Sequence, residues 1–482
     1  MRVAVANPPW PGEGFGARSD VRWPHKRKDK YIEYPIYLAY TVAVLDEAGL
    51  EVSFIDAIME ELDIPAFAQR VKEIDPALLV MECSTPSIRY DLQSAAAVKT
   101  ALPGVRIALI GSHPTFFHRD ILQENPDVDA IVRGEFEITV LELARAIEQG
   151  SDWSSVEGLS YRRGEEIVVN PPRQMIDDLD RLPFPARHIV HSNGYRAAIY
   201  SGDKCTAMVS SRGCPFQCTF CVWPNTLYGH KFRARSAKNV VDEMEEIEKQ
   251  YGIDEIYFDD DTFTIDRQRV MDICHLIVER DLQLSWIIQA RVDTVDRPML
   301  VALKEAGCHY ILFGIESGSP QMLATMKKRI TLDRAREAIR LCDEVGIKSQ
   351  AFFLFGIPGE TQDSIRQTIE FAKELGASTT QFAVAIPQPG SPLYEQCVQN
   401  NWLLYDDWED FASCNALIET PQLSRQEVEQ ARVRAYREYY FRPRFILREA
   451  LRIRHPRDIR RLLRGARSVL ARLSFFETAR SS

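Results

Sequence analysis

Short apolar runs alternate with helically spaced stretches through the first 150 residues. Arg2–Ala6, Glu51–Ile55, Leu78–Met81, Val105–Ile110 and Ala130–Val132 read as buried strands. Tyr37–Ala48 has helical spacing and stops at Gly49, and a helix to Ile147 follows Gly134-Glu135-Phe136-Glu137. Strands alternating with helices predict a parallel, doubly wound sheet whose ligands sit beyond the carboxyl ends of its strands. Between about 155 and 195 this rhythm stops. Gly158–Tyr161 and Ile167–Asn170 flank Arg163-Gly164 as a hairpin would, and Pro183 and Pro185 then force extended chain. The alternation resumes with Thr206–Ser210, Glu255–Asp259, Ser285–Ala290, Tyr310–Glu316, Gln350–Phe355 and Thr379–Ile386. From Arg457 onward, Ile459, Leu462, Leu463, Ala466, Val469, Leu470 and Leu473 recur at helical spacing, with arginines on the other faces.

The bulk numbers narrow the class. The chain has 482 residues, 45% of them hydrophobic and 27% charged, which suits two to four soluble domains. No run reaches the ~18 apolar residues of a membrane span, and the first residues read as a strand and turn rather than a secretion signal. Seven of the ten cysteines are scattered without disulfide-like spacing, which predicts a reduced, cytoplasmic setting. Net charge is −10, but residues 441–482 hold 12 Arg against three acids, so the tail is +9 and the remainder −19. That basic amphipathic tail predicts peripheral contact with the inner membrane surface, or docking on the acidic body of the same chain; both readings stay open. No RNA-binding module accompanies it, so nucleic acid is not expected.

Candidate chemistry concentrates in Cys214, Cys218 and Cys221, spaced CxxxCxxC with Phe220 before the third. Three thiolates in one loop suit a 4Fe–4S cluster with one iron left open. A structural zinc site, completed by Cys205 or His230, is the competing reading. The loop and the motifs downstream of it resemble the radical S-adenosylmethionine (radical SAM) superfamily, in which SAM sits on the open iron and yields a 5′-deoxyadenosyl radical. The six βα units then imply a partial (β/α)6 barrel, with chemistry at the carboxyl ends of its strands. The resemblance implies SAM contacts at Asp260, Asp261 and Phe263 of the Tyr257–Thr264 stretch, at Glu316 and Ser317, and at Gly356 and Pro358 of Phe355–Thr361. Helix capping and tight turns explain the same residues without SAM. Arg291 suits the SAM carboxylate or Asp293 equally. Gln388–Tyr394 resembles a family element at the active-site mouth.

Asn7-Pro8-Pro9, Ser84–Ser87, Gly111–Thr115 and Gly134–Glu137 resemble the cobalamin-binding Rossmann-like domain fused ahead of such barrels. The Asp56 loop lacks the histidine that coordinates cobalt in other cobalamin proteins, so the resemblance leaves two cases, cobalamin held without that ligand or the fold without its cofactor. Trp223–Ser236 and Tyr439–Pro443 bring the chain nearest to the hopanoid-biosynthesis subgroup; Tyr228, His230 and Arg233 then face substrate or serve structure.

The expected architecture is α/β. A Rossmann-like domain of the cobalamin-binding type spans 1–155, a hairpin and Pro-rich connector 156–195, the partial barrel 196–395 and a helical C-terminal region 396–482. The expected activity is reductive cleavage of SAM and modification of an unactivated carbon on a hydrophobic or lipid-like small molecule, by methylation, C–C bond formation or rearrangement. An electron donor such as flavodoxin or ferredoxin is implied. A tetrapyrrole-type anaerobic oxidative cyclase and a metal-bearing binding protein are the alternatives.

Overall fold

The computed structural model describes residues 1–10, 12, 15–17, 25–27, 32–195, 204–412, 415–443 and 445–447. The C-terminal helix expected from Arg457 onward, and Cys414, lie outside the described residues. No helix among the described residues is long and apolar enough to cross a membrane.

The first sheet has seven strands in the order Glu51–Asp56, Arg2–Asn7, Leu78–Glu82, Arg106–Ile110, Ala130–Val132, Leu159–Arg163, Glu166–Val169. The first five run parallel, and their inner strands are buried on both faces, which is why the sequence shows apolar runs there. The hairpin assigned to the connector instead extends this sheet, since Leu159–Arg163 pairs antiparallel with Ala130–Val132.

The second sheet is wholly parallel, in the order Cys205–Met208, Glu255–Phe258, Ser285–Ala290, Cys308–Glu316, Lys348–Phe355, Thr379–Val384. Its six strands match the sequence expectation within two residues. One face packs on helices through Ile256, Phe258, Trp286, Ile288, Ile311 and Phe313. Residues of the other parity, Tyr257, Ile287, Tyr310, Leu312 and Phe352, form a separate cluster on the opposite, concave face. Polar groups interleave with them there: the Tyr310 hydroxyl donates to Gln350 Oε1 at 3.1 Å, and Gln289 Nε2 to Asp259 Oδ1 at 3.3 Å.

The edge strand Thr379–Val384 is covered by the helix Arg425–Tyr440. Tyr440 and Tyr436, one turn apart, accept from the backbone N–H of Thr380 at 3.0 Å and of Phe382 at 3.2 Å. Those hydroxyls occupy backbone groups that would otherwise template further strand pairing.

The helix Ile36–Glu47 joins the two halves, and ten of its twelve residues are buried. A helix apolar all round belongs inside a structure, and this one lies between the first sheet and the barrel. Its Tyr37 hydroxyl reaches Asp259 and its Tyr40 hydroxyl donates to the Val209 carbonyl at 3.3 Å.

Candidate active site at the barrel mouth

The cysteine loop leaves the first barrel strand and is held on several sides. Ser211–Arg212 pairs antiparallel with Arg233–Ala234. Gly213 has φ +82°, and a Cβ there would lie 2.3 Å from the Lys231 carbonyl oxygen, so the loop needs glycine to fold back this closely. Cys214 N–H donates to the Gly229 carbonyl, Thr219 N–H to Met326, and Leu393 N–H to Thr219. The three cysteines are half-buried while Phe220 is buried.

The fourth ligand of a zinc site does not assemble. Cys205 is buried at the start of its strand, with its thiol directed to the Tyr195 carbonyl at 3.5 Å. His230 has one ring nitrogen 3.1 Å from the Cys214 carbonyl and the other 3.3 Å from Asn225 Oδ1. Among the described residues no three His, Cys, Asp or Glu side chains converge as the ligands of one ion do. Thiolates that each bind their own iron need no such convergence.

The residues singled out in the sequence divide into two groups. Asp260 is fully buried and accepts from Ser210 N–H at 2.7 Å and from the Ser210 and Ser211 hydroxyls at 2.5 Å, so it ties the second strand to the cysteine loop. Phe263 is also fully buried, packed on Phe258 and Trp286. It is a core residue, because the chain turns inward after the strand. Ser317 is fully buried, accepts from Ser319 N–H at 3.1 Å and meets Thr368 Oγ1 at 3.0 Å, bonds that fix the turn before the next helix rather than cap it. Of the two partners open to Arg291, the structure shows Asp293, bonded through two nitrogens at 2.9 and 2.8 Å. Its guanidinium also covers the Phe216 ring of the cysteine loop at 3.6 Å.

Asp261, Glu316, Gly356 and Pro358 stand at or just past the ends of the second, fourth and fifth strands. Asp261 is half-buried beyond the second strand. Glu316 ends the fourth strand with φ +74°, a left-handed conformation that costs a non-glycine residue on the order of 1–3 kcal/mol. Its carboxylate pairs with Lys328 Nζ at 2.8 Å, both nearly buried. A Cβ on Gly314 would lie 2.4 Å from Glu316 Oε1 and 2.9 Å from Lys328 Nζ, so that glycine makes room for the pair. Lys328 was missed in the sequence. Burial lowers its pKa, but the Glu316 carboxylate and Cys218 outweigh this and hold it above the ordinary lysine value, so it is an ammonium beside the cysteine loop.

Gly356 has φ +87°, and its N–H donates to Glu360 Oε2 at 2.5 Å. Burial pushes the Glu360 carboxyl up to about 8, against the pull of that N–H. The folded state therefore keeps a proton that the unfolded chain loses near 4.5, and stability falls as pH rises through this window. Glu360→Gln keeps an acceptor for Gly356 and cannot ionise. Its melting temperature relative to wild type is expected to climb between pH 5 and pH 9 in thermal melts; a constant difference would contradict the protonated assignment.

Across from the cysteine loop stand the strand ends of the first sheet. Asp56 accepts from Asn7 Nδ2, from Ile58 and Met59 N–H, and from the Tyr195 hydroxyl at 2.6 Å. His113 lies buried between Phe117 and Trp408, 3.2 Å from Thr85 Oγ1, and burial pulls its pKa down to about 3, so the ring is neutral. Hydroxyls and backbone dominate these loops, and two residues past Asp56, where the cobalt-coordinating histidine of other cobalamin proteins falls, this chain has Ile58. That donor set fits a corrinoid held without an imidazole from the Asp56 loop.

The two halves meet through buried charge. Arg212 donates to Glu135 at 2.8 Å and Glu137 at 2.6 Å, and Arg233 to Glu135 at 2.9 Å, all nearly inaccessible to solvent. Arg233 also donates to the Ile176 and Tyr228 carbonyls. Tyr228 stacks on Tyr37 at 5.4 Å. Both residues thus serve the contact between domains.

Residues 208–372 match the Radical SAM superfamily and residues 26–144 match the B12 binding domain. An uncharacterized methyltransferase of Pyrococcus horikoshii is 33% identical over 432 residues, covering 89% of this chain and 93% of its own. The anaerobic magnesium-protoporphyrin IX monomethyl ester cyclase of Rubrivivax gelatinosus is 27% identical, covering 92% of this chain and 78% of its own. Among solved structures, the cobalamin-dependent SAM radical enzyme OxsB shares the fold, with a TM-score of 0.72 at 17% identity, over 100% of this chain and 71% of that one. Two adjoining domains of these types, and a relative matched almost end to end, mean that the chain belongs to the radical SAM superfamily with a B12-binding domain, as an enzyme of 4Fe–4S cluster, SAM and cobalamin.

Proposed function

We propose that this enzyme transfers a methyl group to an unactivated carbon of a substrate with an apolar body and hydrogen-bonding substituents. The observation that carries this is the buried contact between the Gly134–Glu137 loop and the cysteine loop, which joins the corrinoid-facing and cluster-facing sides. Cys214, Cys218 and Cys221 would hold the cluster, one thiolate per iron. Asp261 and Glu316 would accept from the SAM amino group, Lys328 would receive its carboxylate, and the Gly356–Pro358 turn would lie against adenine. Bound, the cluster supplies the electron that cleaves SAM, and cobalamin supplies a methyl carrier. The chain's own residues orient SAM against the loop and, through Phe216 and Phe220, shield it from water. On the concave face, Ile287, Leu312 and Phe352 beside Tyr310, Gln350 and Gln289 suit an amphiphilic guest.

The test needs no substrate. With dithionite, cobalamin and methyl-labelled SAM, the enzyme should cleave one SAM to 5′-deoxyadenosine and methionine and, with a second, place label on dithionite-reduced cobalamin and release S-adenosylhomocysteine. Deoxyadenosine release without labelled cobalamin would favour cyclisation, the activity named for the Rubrivivax relative.

The domain limits at 195 and 395 belong to the same proposal, as does a lipid-like substrate met at a membrane surface; the limit expected at 155 moves past Val169, where the first sheet ends. Twelve arginines after residue 440 favour anionic vesicles, at about 1 kcal/mol per charge near the surface. A chain ending at Pro456 should co-sediment less with such vesicles than the full chain; equal sedimentation would remove the membrane role.

A further inference from the structure

Four buried charges stand where the domains meet, two from each. Glu135 and Glu137 come from the cobalamin-binding domain, Arg212 and Arg233 from the hairpin that carries the cysteine loop. They sum to zero. The rings of Tyr228, Tyr40 and Tyr37 surround the Arg212 guanidinium at 5.2, 5.3 and 6.0 Å, so water does not screen it. Arg212 precedes Cys214 by two residues, a reach of at most about 7 Å along the chain. None of the four is among the residues assigned to SAM.

Such an array is more than a fastener. Reduction adds one negative charge to a 4Fe–4S cluster, and the potential at which it occurs depends on the net charge nearby. A neutral array of full charges in a low-dielectric contact is a fixed field that a single substitution tips either way. We propose that Glu135 and Glu137 of the cobalamin-binding domain, through Arg212 and Arg233, set the reduction potential of the cluster held by Cys214, Cys218 and Cys221. The proposal rests on the cysteine assignment above. The electron comes from a low-potential one-electron donor, dithionite in the test, which is oxidised as the cluster is reduced.

The experiment is a redox titration of the reconstituted full-length enzyme, monitored by EPR of the reduced cluster. Glu137→Gln leaves the array at +1 and should raise the potential. Arg212→Gln leaves it at −1 and should lower it. Each shift should be on the order of tenfold in the one-electron equilibrium, about 59 mV. The double variant restores neutrality and should return toward wild type. Both single variants break the same 2.6 Å ion pair, so a role confined to bracing the loop would move them in the same direction. Shifts of one sign, no shift, or loss of the cluster in both single variants would overturn the proposal. Glu135→Gln paired with Arg233→Gln repeats the sign test on the second pair, at 2.9 Å. A wild-type protein that takes up no cluster would instead overturn the cysteine assignment.

Discussion

Replacing Cys214, Cys218 or Cys221 with alanine should abolish the iron–sulfur spectrum of anaerobically reconstituted protein, which should otherwise hold about four irons and four sulfides. Each thiolate binds its own iron, so no remaining ligand substitutes for the one removed. The distant cysteines cannot take over. Cys308 and Cys342 are packed in the barrel core away from the loop, and burial there pushes the Cys342 thiol up to about 12 and the Cys308 thiol well above its ordinary value. Cys308→Ala and Cys342→Ala should therefore retain full iron and sulfide content. Iron, sulfide and absorbance measured on the five variants decide the matter; a spectrum surviving all three loop substitutions would move the metal site elsewhere.

Lys328→Met should be the most damaging change outside the cysteines. It leaves the Glu316 carboxylate buried without its 2.8 Å partner, and a buried charge stripped of its counter-ion costs about 3–5 kcal/mol. The melting temperature should drop sharply, and SAM binding, read as perturbation of the reduced cluster's EPR signal, should be lost. The double variant Lys328→Met with Glu316→Gln removes both charges. It should recover most of the stability and none of the SAM binding. Recovery of both would assign the pair to folding alone, and intact SAM binding in Lys328→Met would remove Lys328 from the site.

Strand positions were legible because the inner strands of the first parallel sheet are buried on both faces, and apolar runs mark them. The cysteine loop was legible because its ligands are adjacent in sequence. Lys328 was not. It lies in a turn more than a hundred residues past Cys218, and only the folding of the barrel brings it to the loop. The Asp260-Asp261 pair shows a second limit. The resemblance gave both carboxylates one role, but successive residues of an extended chain point to opposite sides, and Ser210 and Ser211 take Asp260. Arg233 shows a third: a guanidinium reads as a binding group until its partner, Glu135 of the other domain, is known. The apolar helix Ile36–Glu47 was found by its spacing, but burial on every side comes from a domain contact that no local pattern encodes.

The charged contact between domains also sets an order of events on the ribosome. Glu135 and Glu137 are translated roughly 100 residues before Arg233, which at about 5–20 residues per second is a delay on the order of 5–20 s. Until then the carboxylates remain hydrated and the first domain has no partner to close against. The cysteine loop emerges late in that interval, just ahead of the arginine that completes the contact. Iron and sulfide delivered during synthesis would therefore meet a loop not yet flanked by the first domain, whereas delivery to the finished chain reaches cysteines that the fold has half-buried.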